Sequence, residues 1–539
     1  MSRLKIYLPI TFALILALGI LLGYRMNPGG SPENKIFQIN HPWSSENKVL
    51  SALNYIDQNY VDSVDLDELE KEALVSVLTS LDPHSQYIPA EAFNEMNDAL
   101  KGKFEGIGVQ FRIEKDTVMV IAAISGGPSE KVGIRGGDRI VTVNGDTIAG
   151  TGVSNEDVIG KLKGERGTEV QVGVFRRGVD ELLYFTITRD VIPTYSVDIA
   201  FVPVDSTGYI KLSKFSATTY QEMKSALDKL QQEGINKLIL DLRGNSGGYL
   251  QAAINLSDEF LKDEELIVYT EGKNRPRKFA YATEEGSFEN KPIAILIDEG
   301  SASASEIVAG AVQDNDRGII AGRRSFGKGL VQEQIRFNDR SALRLTVARY
   351  YTPTGRSIQR PYANGKKDYY HDLYERWSNG EMVSADSIHF NDSLIYTTPK
   401  GDTVYGGGGI MPDVFVSVNK EQSGEYVGKL LQKGLFYRFA FDYVDKNRPA
   451  LKAYENADVF VDEYQITDKQ LKLFFEEADN KGVKRPEEID NKELQEIKIL
   501  LKALIGRNLF DNEGFYPVYL KSDVIFKEAI NALNSGEIS

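Results

Sequence analysis

An α/β core, with a β-rich module inserted before it and helical regions at both ends, is the fold class the sequence predicts. Three observations lead there. Two short apolar runs, Lys237–Leu242 and Pro292–Asp298, are each followed by apolar residues at helical spacing, the pattern of buried strands feeding helices. From Phe104 to about Arg189 the apolar period shortens to two and glycine turns recur, as in an antiparallel sheet. Outside these segments the spacing returns to three and four. It does so at Leu50, Leu53, Ile56 and Tyr60 near the start, and at Leu471, Phe474, Phe475, Ile497, Leu500, Leu501 and Leu504 near the end.

Composition bounds what such a chain does. Its 539 residues suffice for roughly three or four domains, and 42% hydrophobic with 26% charged residues is a globular balance. A net charge of −15 argues against a phosphate-backbone binder, so nucleic acid is not an expected partner. The absence of Cys excludes disulfides, a thiol nucleophile, thiolate metal sites and a lipidated cysteine. No residue pattern calls for a metal or a cofactor.

At the N-terminus, Arg3 and Lys5 precede an uncharged, mostly apolar run from Ile6 to Tyr24, closed by Arg25. As a helix this run reaches about 28 Å, close to a hydrocarbon core. Leu21-Leu22-Gly-Tyr-Arg-Met offers no small-x-small cleavage site. Residues 1–25 therefore read as an inner-membrane anchor in preference to a cleaved signal, with the bulk of the chain in the periplasm or otherwise outside the cytoplasm. A Gly/Pro/Ser/Asn-rich linker occupies 26–43. Residues 44–103 form a helical region broken by Leu81-Asp-Pro-His-Ser-Gln-Tyr87. There His84 follows a proline in a turn, which favours a structural hydrogen-bonding role.

The β-rich module covers 104–189. Its predicted strands are Val118–Ile124, Arg139–Val143, Glu169–Phe175 and Leu182–Thr188. With Phe104-Glu-Gly-Ile-Gly-Val-Gln-Phe111 at its start, glycine turns at 126–133 and 136–145, and Leu162-Lys-Gly-Glu-Arg-Gly-Thr168 near its end, it resembles a PDZ domain of the bacterial protease type. That resemblance implies that Gly106, Ile107, Gly108 and Val109 offer backbone N–H groups to a peptide's terminal carboxylate while the peptide adds as a strand. On spacing alone Gly106 and Gly108 also fit an ordinary hairpin turn. Positions near Gly102 and Arg189 are candidate hinges.

The core spans 190–435. Gly208–Leu212 reads as a strand, Ala217–Gln232 as an amphipathic helix, and Lys237–Leu242 as a strand ending in Arg243-Gly-Asn-Ser-Gly-Gly248 before a helix over Leu250–Leu261. Glycines at the C-terminal end of a strand let backbone approach a ligand closely. The N–H groups of Gly247 and Gly248, with that of Ala304, are candidate oxyanion donors. A plain βα turn fits the same glycines.

Ser303 lies at the turn between the run Pro292–Asp298 and a segment with Ala304, Ile307, Val308, Ala311 and Val312 at helical spacing. A serine needs a base to become a nucleophile. The four His, His41, His84, His371 and His389, make no evident partnership with this turn. Lys328, between two glycines in Ser325-Phe-Gly-Lys-Gly-Leu-Val-Gln332, is the candidate base, because desolvation lowers a lysine pKa toward neutrality. Taken alone, a Ser/Ala-rich helix start and a surface lysine fit the same residues.

The ordered set is more specific. It comprises Leu81-Asp-Pro-His-Ser85, Gly106-Ile-Gly108, Asp241-Leu-Arg-Gly-Asn-Ser-Gly-Gly248, Ser301-Ala-Ser-Ala-Ser-Glu-Ile307, Gln313-Asp314, Arg317, Gly322, Phe326-Gly-Lys-Gly-Leu-Val-Gln332 and Tyr351-Thr-Pro-Thr-Gly-Arg356. Over roughly 45–420 the chain resembles the carboxyl-terminal processing peptidases, or tail-specific proteases: serine endopeptidases on a crotonase/Clp-like α/β core. The resemblance implies Ser303 as nucleophile, Lys328 as general base, and Gln332 as the residue that orients the lysine from one helical turn beyond it, if that stretch is helical. Glu306 matches an acidic position whose role varies among members. Ser246 stands where many members carry proline, a change in loop stiffness more than in chemistry. Polypeptides with an exposed C-terminus are the implied substrates.

Residues 436–539 carry no motif of that family. Their spacing fits a packed helical domain serving as a homodimer surface, and a solvated cap equally. Two other function classes compete with the protease: a catalytically inactive membrane-anchored PDZ scaffold or chaperone, and an acyl-CoA-type enzyme on the same core. Intact Ser303, Lys328 and Gln332 speak against the first, and the lack of a declared nucleotide pocket speaks against the second.

Overall fold

The computed structural model describes residues 47–535, apart from 125 and 419–423. The expected anchor and linker, 1–43, lie outside the described residues. Among those residues no helix is long and apolar enough to cross a membrane. The chain divides into two compact units at Leu74–Val75. In the first, Asn47 caps the helix Lys48–Asn59 by accepting the Leu50 N–H at 3.3 Å. Leu50, Leu53 and Ile56 of the stripe fall on this helix and Tyr60 is its C-cap, yet none of the helix is buried.

The second unit is built around a six-stranded sheet in the order Val197–Val204, Thr207–Leu212, Lys237–Asp241, Ile293–Ile297, Ile319–Gly322, Val414–Phe415. The first pair is antiparallel and the others are parallel. Alternate residues of each strand face opposite ways. Leu238, Leu240, Ile293 and Ile295 pack with Leu227, Leu256 and Val308 of the helices Thr219–Gln232, Leu250–Asp258 and Ala304–Asp314. Ile239, Ala294 and Leu296 turn the other way, against Ile525 and Phe526 of the last helix, Val524–Ser535. Burial on both faces explains why these strands read as unbroken apolar runs. The last helix of the C-terminal region is thus part of this core.

A second sheet has the order Gln86–Ile88, Ala342–Tyr351, Leu266–Gly272, Arg275–Tyr281, with Leu330–Arg336 also paired to Ala342–Tyr351. The inserted module is an antiparallel sheet, Val109–Ile113, Val118–Ala123, Arg139–Val143, Glu169–Phe175 and Leu183–Thr188, closed by the helix Asn155–Leu162. The segments entering and leaving it, Lys103–Gly106 and Asp190–Pro193, pair with each other. The two candidate hinges thus border a single ribbon. The C-terminal helices Glu425–Gln432, Leu435–Leu451, Ala457–Glu463, Asp468–Asn480 and Asn491–Tyr519 enclose their own core, in which Leu471, Phe474, Phe475, Ile497 and Leu501 are buried.

Candidate active site

Ser303 precedes the helix Ala304–Asp314 with φ 57° and ψ −112°. A side-chain-bearing residue in such a region costs about 1–3 kcal/mol and persists only where its surroundings fix it. The surroundings here are dense. Asn245 donates from Nδ2 to the Leu212 carbonyl at 2.9 Å, and its own carbonyl accepts the Ala302 N–H at 3.0 Å and the Ser305 hydroxyl at 2.8 Å. The loop after Lys237–Asp241 is thereby tied to both sides of Ser303. A Cβ on Gly247, where φ is +97°, would stand 2.8 Å from Ser303 Cβ and 2.9 Å from Ala304 N, so only glycine fits.

One expectation is corrected at this point. The Gly247 N–H is engaged, donating to Asn245 Oδ1 at 2.9 Å, and so is not an oxyanion donor. The N–H groups of Gly248, which is exposed, and Ala304 have no acceptor among the described residues and remain as the candidate pair.

Lys328 lies in the turn before the strand Leu330–Arg336, so the expected helix beyond it is absent. Gln332 still reaches it: Lys328 Nζ donates to Gln332 Oε1 at 3.3 Å, and Gln332 Nε2 donates to the His84 carbonyl at 2.8 Å. A bulge between Val331 and Gln332 breaks the regular register at this point. Burial lowers the Lys328 pKa, helped by the Arg344 charge and opposed by Glu306 and Asp82.

The His84 turn is structural, as the sequence indicates. Asp82 Oδ1 accepts the N–H groups of His84 and Ser85, both at 2.8 Å, and the His84 ring meets the Tyr369 hydroxyl at 2.9 Å. Burial first, then the Lys328 charge, pushes its pKa down to about 4. What sequence reasoning missed is the carbonyl of His84, which aims Gln332.

Glu306 is fully buried and joins the two loops. Its Oε2 accepts the N–H of Ser303 at 2.8 Å and of Lys328 at 2.9 Å, while Oε1 accepts the Gly327 N–H at 2.7 Å and the Ser325 hydroxyl at 2.5 Å. Burial raises its pKa against the pull of these donors. Tyr350 adds a second tie, its hydroxyl donating to the Lys328 carbonyl at 2.8 Å and standing 3.1 Å from that of Ser303. Sequence patterns gave no sign of Tyr350. Ser303 Oγ and Lys328 Nζ share a scaffold but no hydrogen bond with each other among the described residues.

The loop Gly106–Val109 stands apart, sharing no hydrogen bond with the Ser303 or Lys328 turns. The Ile107 carbonyl accepts from Ser129, at 3.0 Å from its N–H and 2.6 Å from its hydroxyl. Gly108 has φ +72°, and a Cβ there would meet Ile192 at 2.9 Å. Val109 opens the strand Val109–Ile113, and Gly106 ends the ribbon strand Lys103–Gly106.

Comparison with known proteins agrees with this layout. Peptidase family S41 matches residues 206–365, a PDZ domain matches 106–187, and a family of unknown function matches 426–511. A carboxy-terminal-processing protease of Bartonella bacilliformis is 38% identical over 305 residues, 56% of this chain and 69% of that protein. Carboxy-terminal processing protease CtpB of Bacillus subtilis is 33% identical over 58% of this chain and 65% of its own length. A carboxyl-terminal-processing protease of Synechocystis is 34% identical over 53% and 68%. Among solved structures, a photosystem II D1 C-terminal processing protease aligns over 71% of this chain and 96% of its own at 26% identity with a TM-score of 0.36. That score is too low to add weight, so the assignment rests on the sequence relatives. They support neither the inactive scaffold nor the acyl-CoA enzyme. The chain belongs to the carboxy-terminal-processing proteases, serine endopeptidases of peptidase family S41 that carry a PDZ domain.

Proposed function

We propose that the protein cleaves polypeptides with exposed C-terminal tails, using Ser303 as nucleophile, Lys328 as general base and Gln332 to orient the lysine. The observation that carries this reading is the half-buried Lys328 amine, held by Gln332 on a loop that Glu306 ties to the Ser303 backbone. Neutral Lys328 takes the Ser303 proton as Oγ attacks the scissile carbonyl. The N–H groups of Gly248 and Ala304 receive the developing oxyanion. The lysine then returns the proton to the leaving amine, and water repeats the cycle on the acyl-enzyme.

In this reading the tail's carboxylate docks on the N–H groups of Gly106–Val109. We favour an activating module, because an anchored protease facing folded envelope proteins needs its activity tied to the arrival of an exposed tail. The basic start and apolar run before Arg25 support anchoring in the inner membrane with the catalytic part in the periplasm or otherwise outside the cytoplasm.

Incubation with an unstructured polypeptide tests the proposal. Wild type should cleave it, Ser303→Ala should not, and amidating the tail should slow cleavage. Equal rates on free-acid and amidated tails would remove the tail-recognition part. Fractionation with antibody to residues beyond 200 checks location: recovery in the soluble cytoplasm would remove the anchor.

A further inference from the structure

The last helix meets the catalytic core at a buried charge cluster. Asp523 caps that helix, its Oδ1 accepting the Phe526 N–H at 3.0 Å. The same oxygen accepts from Arg243 Nη1 at 3.1 Å, and Arg243 Nη2 stands 2.7 Å from Asp523 Oδ2. On its other side Arg243 grips Asp241, with Nη2 at 2.6 Å and Nε at 3.0 Å. Asp241 also accepts from the Tyr209 hydroxyl at 2.7 Å and from Lys211 Nζ at 3.1 Å. The side chains of Arg243, Asp241 and Asp523 are only 14%, 2% and 3% exposed.

Two carboxylates balance two cations in this cluster. Removing one charge from such a set leaves a buried partner uncompensated. Arg243 is the residue on which the contacts converge, and it begins the loop Arg243–Gly248. Its N–H is held by Asp241 Oδ1 at 2.9 Å and its carbonyl accepts from Lys211 Nζ. The next residues carry the fixation forward: the Gly244 N–H donates to Asp298 Oδ1 at 2.8 Å, and Asn245 ties the loop to both sides of Ser303. The loop is therefore anchored at one end by Asp523, across a long stretch of sequence, and presents the Gly248 N–H at the other.

We infer that Asp523 is a positioning residue for the oxyanion-binding loop, acting through Arg243, so that the C-terminal helix is a working part of the active site. This rests on the reading of Gly248 and Ala304 as oxyanion donors to a Ser303 adduct. A group that acts by placing an oxyanion donor stabilises the tetrahedral state more than the bound substrate.

Asp523→Asn is the informative substitution, because Asn serves equally well at an N-cap and keeps an oxygen toward Phe526 while deleting the charge. Its kcat should fall about tenfold or more with KM within about twofold. Affinity for a peptide boronate, which forms a tetrahedral adduct, should fall in step. Asn534→Ala is the control: it cuts another tie of the same helix, Lys237 Nζ to Asn534 Oδ1 at 2.5 Å, without touching Arg243, and should leave kcat unchanged. Should the Asn variant fail to fold, Asp523→Ser keeps a capping oxygen and is judged on the same criteria. Wild-type kcat and boronate affinity in a folded Asp523 variant would overturn the inference. So would a loss matched by Asn534→Ala, which would mean that general docking of the helix is what matters. Ser303→Ala separates the two readings: if it keeps hydrolysing, the dyad reading falls and takes this one with it. If it is inactive, an unaltered Asp523 variant sinks only the positioning role.

Discussion

The Ser303 turn and the Gly106–Val109 loop are both glycine-assisted bends, proposed to offer backbone N–H groups to a negatively charged oxygen, and they are held very differently. Asn245, Glu306 and Tyr350 brace the first from separate elements, and its strained Ser303 backbone sits inside that frame. The second is held inside its own module, by Ser129 on the Ile107 carbonyl and by the Ile124 N–H on the Gly108 carbonyl at 2.9 Å, and that module joins the core through a two-stranded ribbon and contacts with the helix Leu435–Leu451. A donor set that serves a transition state loses rate with small displacements, so it is worth fixing from several sides. A loop that captures an arriving tail needs affinity only, and a module on a ribbon keeps freedom to respond. Fixation follows chemistry.

The largest effect should come from the rigid side of this comparison. Ser303→Ala and Lys328→Ala should each lower kcat by several orders of magnitude with the fold intact, since nucleophile and base act as a unit. Single-turnover assays with circular dichroism check both points, and full activity in either variant would end the dyad account. Glu306→Gln comes next. It turns an amide NH₂ toward N–H donors that now meet a carboxylate, a loss on the order of 1–3 kcal/mol in stability. It also loosens the Ser303–Lys328 spacing, so kcat should fall more than the denaturation midpoint alone explains. A variant with normal kcat would show that Tyr350 suffices as a tie.

Most of this frame was legible in the sequence, and the exceptions have physical causes. The strands Lys237–Asp241 and Ile293–Ile297 were readable because both faces are buried, which leaves an unbroken apolar run. Leu330–Arg336 was not. It pairs only with Ala342–Tyr351, most of it faces solvent, and its polar residues give no alternation to read. That is why the sequence leaves a helix through Gln332 open. Ser303 and Lys328 could be named from their motifs, whereas the His84 carbonyl, Tyr350 and Asp523 act through contacts between distant segments. The Gly247 donor was misjudged for a related reason: a glycine pair announces an approachable backbone but not which N–H its neighbour Asn245 already holds.

A smaller effect concerns the base. Burial and Arg344 both lower the Lys328 pKa, and only the neutral amine accepts a proton. Activity should therefore rise with pH along one limb whose midpoint lies below the ordinary lysine value. Removing the Arg344 charge makes the ammonium less costly, raises the lysine pKa and moves the limb to higher pH in Arg344→Gln. A pH–kcat profile reads this directly, and a limb that stays in place would assign the depression to burial alone. Gln332→Ala should cost about tenfold in kcat, roughly 1.4 kcal/mol of barrier, with little change in KM. A pure KM defect would instead place Gln332 in the substrate groove.

The smallest effect should come from the inserted module. The inserted module rests on the helix Leu435–Leu451 through Asp445, which lies 3.3 Å from both Arg139 and Arg177. Arg112 adds contacts over the rings of Tyr437 and Phe441, at 4.9 Å and 4.2 Å. Arg112 points away from Phe111 and Ile113, which pack into the module's own core, so this dock uses the outer face of the strand that follows the Gly106–Val109 loop. Arg177 is largely exposed, and partly screened pairs of this kind contribute about 1 kcal/mol or less. Asp445→Ala should therefore leave the module folded and tail affinity unchanged while speeding amide exchange in the ribbon Lys103–Gly106. If docking restrains an activating swing, basal cleavage of untailed peptides should rise modestly, by about two- to fivefold. A fall in basal cleavage would mean that the dock holds the module in its activating position, and the comparison would reverse: the loosely held loop would then be the one whose placement limits the rate.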